Sequence, residues 1–69
     1  MTNTTLLEKK IEESGLRKSY IAKELGLSTY GLSLKIKNVN EFKASEIDKM
    51  CLVLGITNLE ERCAIFFAQ

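Results

Sequence analysis

Apolar residues recur at helical spacing in five stretches of the chain, separated by glycine or by short polar runs. Leu7 and Ile11 share one face of a first helix that ends near Ser14. Thr5-Leu6-Leu7-Glu8 reads as its capping box, with the Thr5 oxygen accepting a backbone N–H and Glu8 reaching back. Gly15 then supplies a left-handed stop. Ile21, Ala22 and Leu25 form the stripe of a second helix from about Lys18 to Leu25. Gly26 ends it, Leu27 tucks inward, and Ser28 is the N-cap of a third helix reaching about Lys37. On that helix Leu32 and Ile36 are neighbours one turn apart and face the core. A connection of about three residues makes the second and third helices cross steeply, as in a helix-turn-helix.

Asn38-Val39-Asn40-Glu41 is a polar loop, and Phe42 after it is expected to anchor in the core. Ile47, Met50, Cys51 and Leu54 mark a fourth helix from about Ala44 to Leu54, closed by Leu54-Gly55-Ile56 as a C-cap with its apolar contact. Asn58-Leu59-Glu60-Glu61 opens a C-terminal helix over about 58–67. The pattern predicts an all-α fold of five short helices in one domain, 1–69, with the helix-turn-helix at about 18–37.

Composition narrows the chemistry. A chain of 69 residues has room for one small core and little to enclose a substrate. Proline is absent, and the four glycines, Gly15, Gly26, Gly31 and Gly55, fall as punctuation along the chain. Cys51 and Cys63 sit among helical apolar residues and are expected in the core, not in a disulfide. With no histidine beside them they offer no zinc-ligand set, so neither a metal nor a cofactor is expected. No glycine-rich phosphate loop and no paired carboxylates are present, and an enzyme is not expected. No apolar run approaches membrane-spanning length, and MTNTTLLEKK lacks the layout of a signal peptide. Those two features lead us to expect a soluble, cytoplasmic protein.

Charge adds a location. The formal net charge is only +1, yet Arg17, Lys18, Lys23, Lys35 and Lys37 face Glu24 alone in the central segment. From Glu41 onward the acids Glu41, Glu46, Asp48, Glu60 and Glu61 outnumber Lys43, Lys49 and Arg62. The centre is basic and the flank offsets it, which suits a localised contact with phosphate.

The segment KSYIAKELGLSTYGLSLKIK, 18–37, resembles the helix-turn-helix of the lambda repressor and Cro family. The resemblance lies in Ala22, small where the helices touch, in Gly26 at the turn, and in Leu32 packing the third helix down. Leu16, Phe42, Ile47 and Leu54-Gly55-Ile56 extend it over nearly the whole chain. It implies that the third helix enters the major groove of operator DNA while the start of the second approaches the backbone. Base-edge or groove roles then fall to Thr29, Tyr30, Ser33 and Lys37. Ser28, Lys18, Ser19, Lys35 and Lys43 take phosphate contacts. The chain is also similar to small early regulators of temperate phages, and to short modulators of repression in lysogeny switches, which implies that it acts in the cytoplasm of a bacterial host cell.

Three features depart from that family's pattern. The third helix has no Arg, Asn or Gln, the side chains that discriminate bases best. Arg17 and Lys43 occupy positions where good caps are common. Lys35 stands where many relatives carry an apolar residue.

A second reading stays open, in which the scaffold docks on a partner repressor protein and alters its DNA binding, as an antirepressor. Tyr30 and Leu34 give the exposed face of the third helix an apolar component. Cys63-Ala64-Ile65-Phe66-Phe67-Ala68 is apolar almost all round. Leu59, Cys63 and one of Phe66 and Phe67 are expected inward. Ile65 and the other phenylalanine then remain for a homodimer seam or a docking site.

Overall fold

The computed structural model describes residues 1–69 and contains five α-helices and no strand. These are α1 (Thr4–Ser14), α2 (Lys18–Leu25), α3 (Thr29–Ile36), α4 (Ala44–Leu54) and α5 (Leu59–Phe66). One apolar cluster binds them. Leu7, Ile21, Leu32, Ile36 and Met50 are its fully buried members, one or more from each of α1 to α4. α2 packs on α3 and α4, while α1 lies across α3, α4 and α5. Ala22 is buried on α2. No helix is long and apolar enough to cross a membrane.

The expected caps hold at five helix ends. Ser28 Oγ accepts the Gly31 N–H at 2.9 Å, and Asn58 Oδ1 accepts the Glu61 N–H at 3.1 Å. Gly15, Gly26 and Gly55 end their helices in the left-handed conformation, as the pattern requires of Gly15 and Gly55. At Gly26 φ is +73°, and a Cβ there would meet nothing within 4 Å. Glycine is needed at that turn for its backbone conformation, not for space. The Leu27 N–H then reaches back to the Ala22 carbonyl at 2.8 Å, and the Leu27 side chain packs on the core.

Gly31 lies within α3, as the bounds expected of the third helix require. A Cβ at this position would stand 3.1 Å from Ser28 Oγ, so the missing side chain leaves room for the cap itself.

The start of α1 is also corrected. Asn3, not Thr5, is its N-cap, accepting the Leu6 N–H at 3.1 Å, and Thr5 is already helical and exposed. The reason is tertiary. The Asn3 N–H donates to the Ile65 carbonyl at 2.6 Å, and Thr4 Oγ1 donates to the Ile36 carbonyl at 2.6 Å, which sets where the helix begins.

The largest correction concerns α5. Ile65 and Phe66 are both buried in the core, whereas Leu59 and Cys63 are exposed and Phe67 is 54% exposed. Two ion pairs bracket the helix. Glu61 meets Lys10 of α1 at 3.1 Å, and Arg62 pairs with Asp48 of α4. Residues one turn further along on those two sides, Ile65 and Phe66, therefore point inward. Phe66 meets the half-buried Phe42 edge-on, with centroids 5.6 Å apart and ring planes at 87°. Phe42 is the anchor expected of it. Of the three C-terminal residues assigned to an interface, only Phe67 is left on the surface. Cys51 is buried as expected, but Cys63 is a free surface thiol.

Candidate nucleic-acid interface

α3 is held from below and open above. Leu32 and Ile36 are buried, while Thr29, Tyr30 and Lys37 are exposed and Ser33 and Leu34 are half-buried. Tyr30 is the most open of these apolar or aromatic side chains, at 73%. The helix is short because both ends are closed. Ser28 caps the start, and after Lys37 the chain turns through Asn38 in the left-handed conformation, φ +64°. The Val39 and Asn40 N–H groups then fold back onto the Leu34 carbonyl at 2.9 and 3.3 Å.

Asn38 has a role the sequence pattern did not reveal. Its Oδ1 accepts the Thr2 N–H at 2.8 Å and its Nδ2 donates to the Thr2 carbonyl at 2.8 Å. The side chain thus mimics a strand partner for the first residues of the chain and fastens them beneath the end of α3. The available signal was the residue type, since asparagine tolerates positive φ better than other non-glycine residues.

The nine residues expected at phosphate or base do not all remain free. Thr29, Tyr30, Ser33 and Lys37 share the outward side of α3. Ser28 spends its oxygen on the cap. Ser19 is exposed in the first turn of α2, and Lys18 beside it pairs with Glu8 at 2.9 Å in a half-exposed bridge. Such a bridge is weak and exchanges readily.

Lys35 is different, and its assignment as a phosphate contact is corrected. Its Nζ lies on Glu46 Oε1, and the two side chains are only 11% and 9% exposed. Glu46 is the second residue the pattern missed, although its place three residues after the α4 N-cap was a capping signal. Lys43 has no side-chain acceptor for the helix start, so the reciprocal half alone forms: the Lys43 N–H donates to Glu46 Oε1 at 2.8 Å. Burial pushes the Glu46 carboxyl up, but the bonds from Lys35 and Lys43 and their positive charges outweigh it and hold it below its ordinary 4.5.

Arg17, Lys23, Lys37 and Lys43 take part in none of the ion pairs. Arg17 is the N-cap of α2 and gives no side-chain acceptor, so the Lys18 and Ser19 N–H groups have no partner within the chain. Lys37 stands on the outward side of α3, and the open amides at the start of α2 are suited to anionic oxygens. No family model matches the chain, and neither a curated protein nor a solved structure matches it.

Proposed function

We propose that this chain is a small transcriptional regulator of a phage-type genetic switch, with α2 and α3 as a lambda repressor- or Cro-like helix-turn-helix that binds operator DNA. The observation that carries the reading is the division of α3. Its Leu32 and Ile36 are sunk in the core, and Thr29, Tyr30 and Lys37 stand clear of it with Ser33 alongside. In this mechanism α3 lies in the major groove. Lys37, Thr29 and Ser33 meet base edges, and Tyr30 packs on thymine methyls. Lys18, Ser19 and Lys43, with Arg17, meet the backbone and set the register. Regulation is by occupancy of the operator.

A second reading has its own support. Two of the expected phosphate lysines are paired within the chain, Lys35 in a buried bridge, while Tyr30 is open to solvent and Leu34 lies beside it. A face of that kind suits docking on a partner repressor protein, which the chain would modulate as an antirepressor.

One titration separates the two. The protein is titrated against double-stranded DNA from upstream of its own coding region, at low and high salt, with and without the neighbouring repressor. Operator binding gives specific binding by the protein alone that falls steeply with salt, with a slope of about −0.9 per phosphate engaged. No binding alone, together with a changed affinity of the repressor when the two are mixed, establishes the antirepressor reading. If neither the DNA nor the repressor responds to the protein, both readings fail.

A further inference from the structure

α3 rests on α2 and α1, and its side-chain polar tie to α4 is a single carboxylate. Glu46 Oε1 receives Lys35 Nζ from the last turn of α3 and the backbone N–H of Lys43 from the start of α4. The loop between the helices is thereby bridged from its two ends. Burying such a pair sacrifices hydration that an apolar pair of equal volume would not, so stability alone is a weak account of it.

Direction gives a better account. At 100° per residue, Lys35 stands about 140° around α3 from Tyr30, on the shoulder away from the exposed side. A tether on that shoulder resists rotation of the helix about its own axis. The Thr4 hydroxyl holds the Ile36 carbonyl at the end of α3, and the apolar contacts beneath the helix are non-directional, so the tie from the α4 side falls to Glu46.

We propose that Glu46 is a positioning residue: held between Lys35 and Lys43, it sets the roll of α3 and hence the direction in which Tyr30, Ser33 and Lys37 are presented. The claim that this presentation serves recognition rests on the function proposed above, whereas the claim about roll stands without it.

The test begins with the full chain and no ligand, by amide hydrogen exchange on the wild type, Glu46→Gln and Lys35→Arg. Glutamine can still accept the Lys43 N–H but carries no charge for Lys35. Exchange at 32–37 is expected to quicken on the order of tenfold, the scale of a lost charged hydrogen bond. Rates in α1 and α5 should stay as they were. Lys35→Arg keeps the pair and should keep wild-type rates. Uniform acceleration in all helices, or no change in α3, would overturn the proposal. Should Glu46→Gln not fold, the double variant Lys35→Met/Glu46→Gln leaves no unpaired charge and is read in the same way.

Binding to the upstream duplex DNA probe supplies the second readout. Positioning predicts that the double variant binds several-fold more weakly with an unchanged salt slope. A slope smaller by about one would make Lys35 a phosphate contact and overturn the proposal. If the wild type binds neither this DNA nor the repressor, the recognition reading fails, and the exchange data still decide whether Glu46 orients α3.

Discussion

The Ser28 hydroxyl and the missing side chain of Gly31 work as a pair. The cap bond is 2.9 Å long, and a Cβ at position 31 would press on the same oxygen at 3.1 Å. Ser28→Ala is expected to lower stability by about 1 kcal/mol, seen as an earlier urea midpoint with unchanged slope. An unmoved midpoint would mean that α3 draws nothing from its cap. The C-terminal phenylalanines make a sharper contrast, since Phe66 is buried and Phe67 half open. Phe66→Ala should cost about 3–5 kcal/mol and Phe67→Ala about 0.5 or less in the same experiment. Equal losses would contradict the inward and outward assignment. The thiols differ likewise: Cys63 is exposed, and burial pushes the Cys51 thiol above its ordinary 9.0. A thiol reagent should modify Cys63 in the native protein and reach Cys51 only on unfolding. Rapid reaction at both would show that α4 opens readily.

At the scale of elements, the apolar spacing located all five helices because each carries a stripe or a terminal glycine whose meaning is local. It did not orient α5. Five of the six residues at 63–68 are aliphatic, aromatic or alanine and the sixth is cysteine, so several inward faces satisfy the same pattern. Only the bridges to α1 and α4 select one. The tie between α3 and α4 was equally hidden, because Lys35 and Glu46 are each ordinary charged residues until the loop brings them together. That tie should give the protein an acid limb. The folded Glu46 carboxyl lies below its ordinary value of 4.5, so its stabilising effect is complete above that value and is lost as pH falls through the lower folded one. Thermal melts from pH 6 downward should therefore show a loss that is smaller in Glu46→Gln. An identical loss in both proteins would assign the acid limb to other carboxylates.

Over the whole molecule, the first residues act as a strap. Thr2 is clasped by Asn38, Thr4 bonds the Ile36 carbonyl, and Asn3 and Met1 meet Ile65 and Ala68 at the other end of the chain. The end of α3 is thus joined to the end of α5 through a segment that belongs to neither. Asn38→Ala should cost on the order of 1–3 kcal/mol, since it removes the clasp and places alanine at a φ of +64°. Asn38→Gly relieves the backbone alone, so it should recover part of that loss in equilibrium unfolding. A glycine variant as stable as the wild type would show that the clasp contributes nothing.

The sequence by itself determined the helices, the turn at Gly26, the caps at Ser28 and Asn58 and the burial of Leu32 and Ile36, with the outward side of α3 that follows. All of these depend on residues within about one turn of each other, where spacing and side-chain type suffice. Tertiary structure alone decided that Asn3 begins α1, that Ile65 and Phe66 are core, and that Lys35 belongs to Glu46 rather than to the exposed face. Each of those outcomes depends on partners many residues apart, and local pattern holds no record of which distant group will complete a hydrogen bond or cover an apolar side.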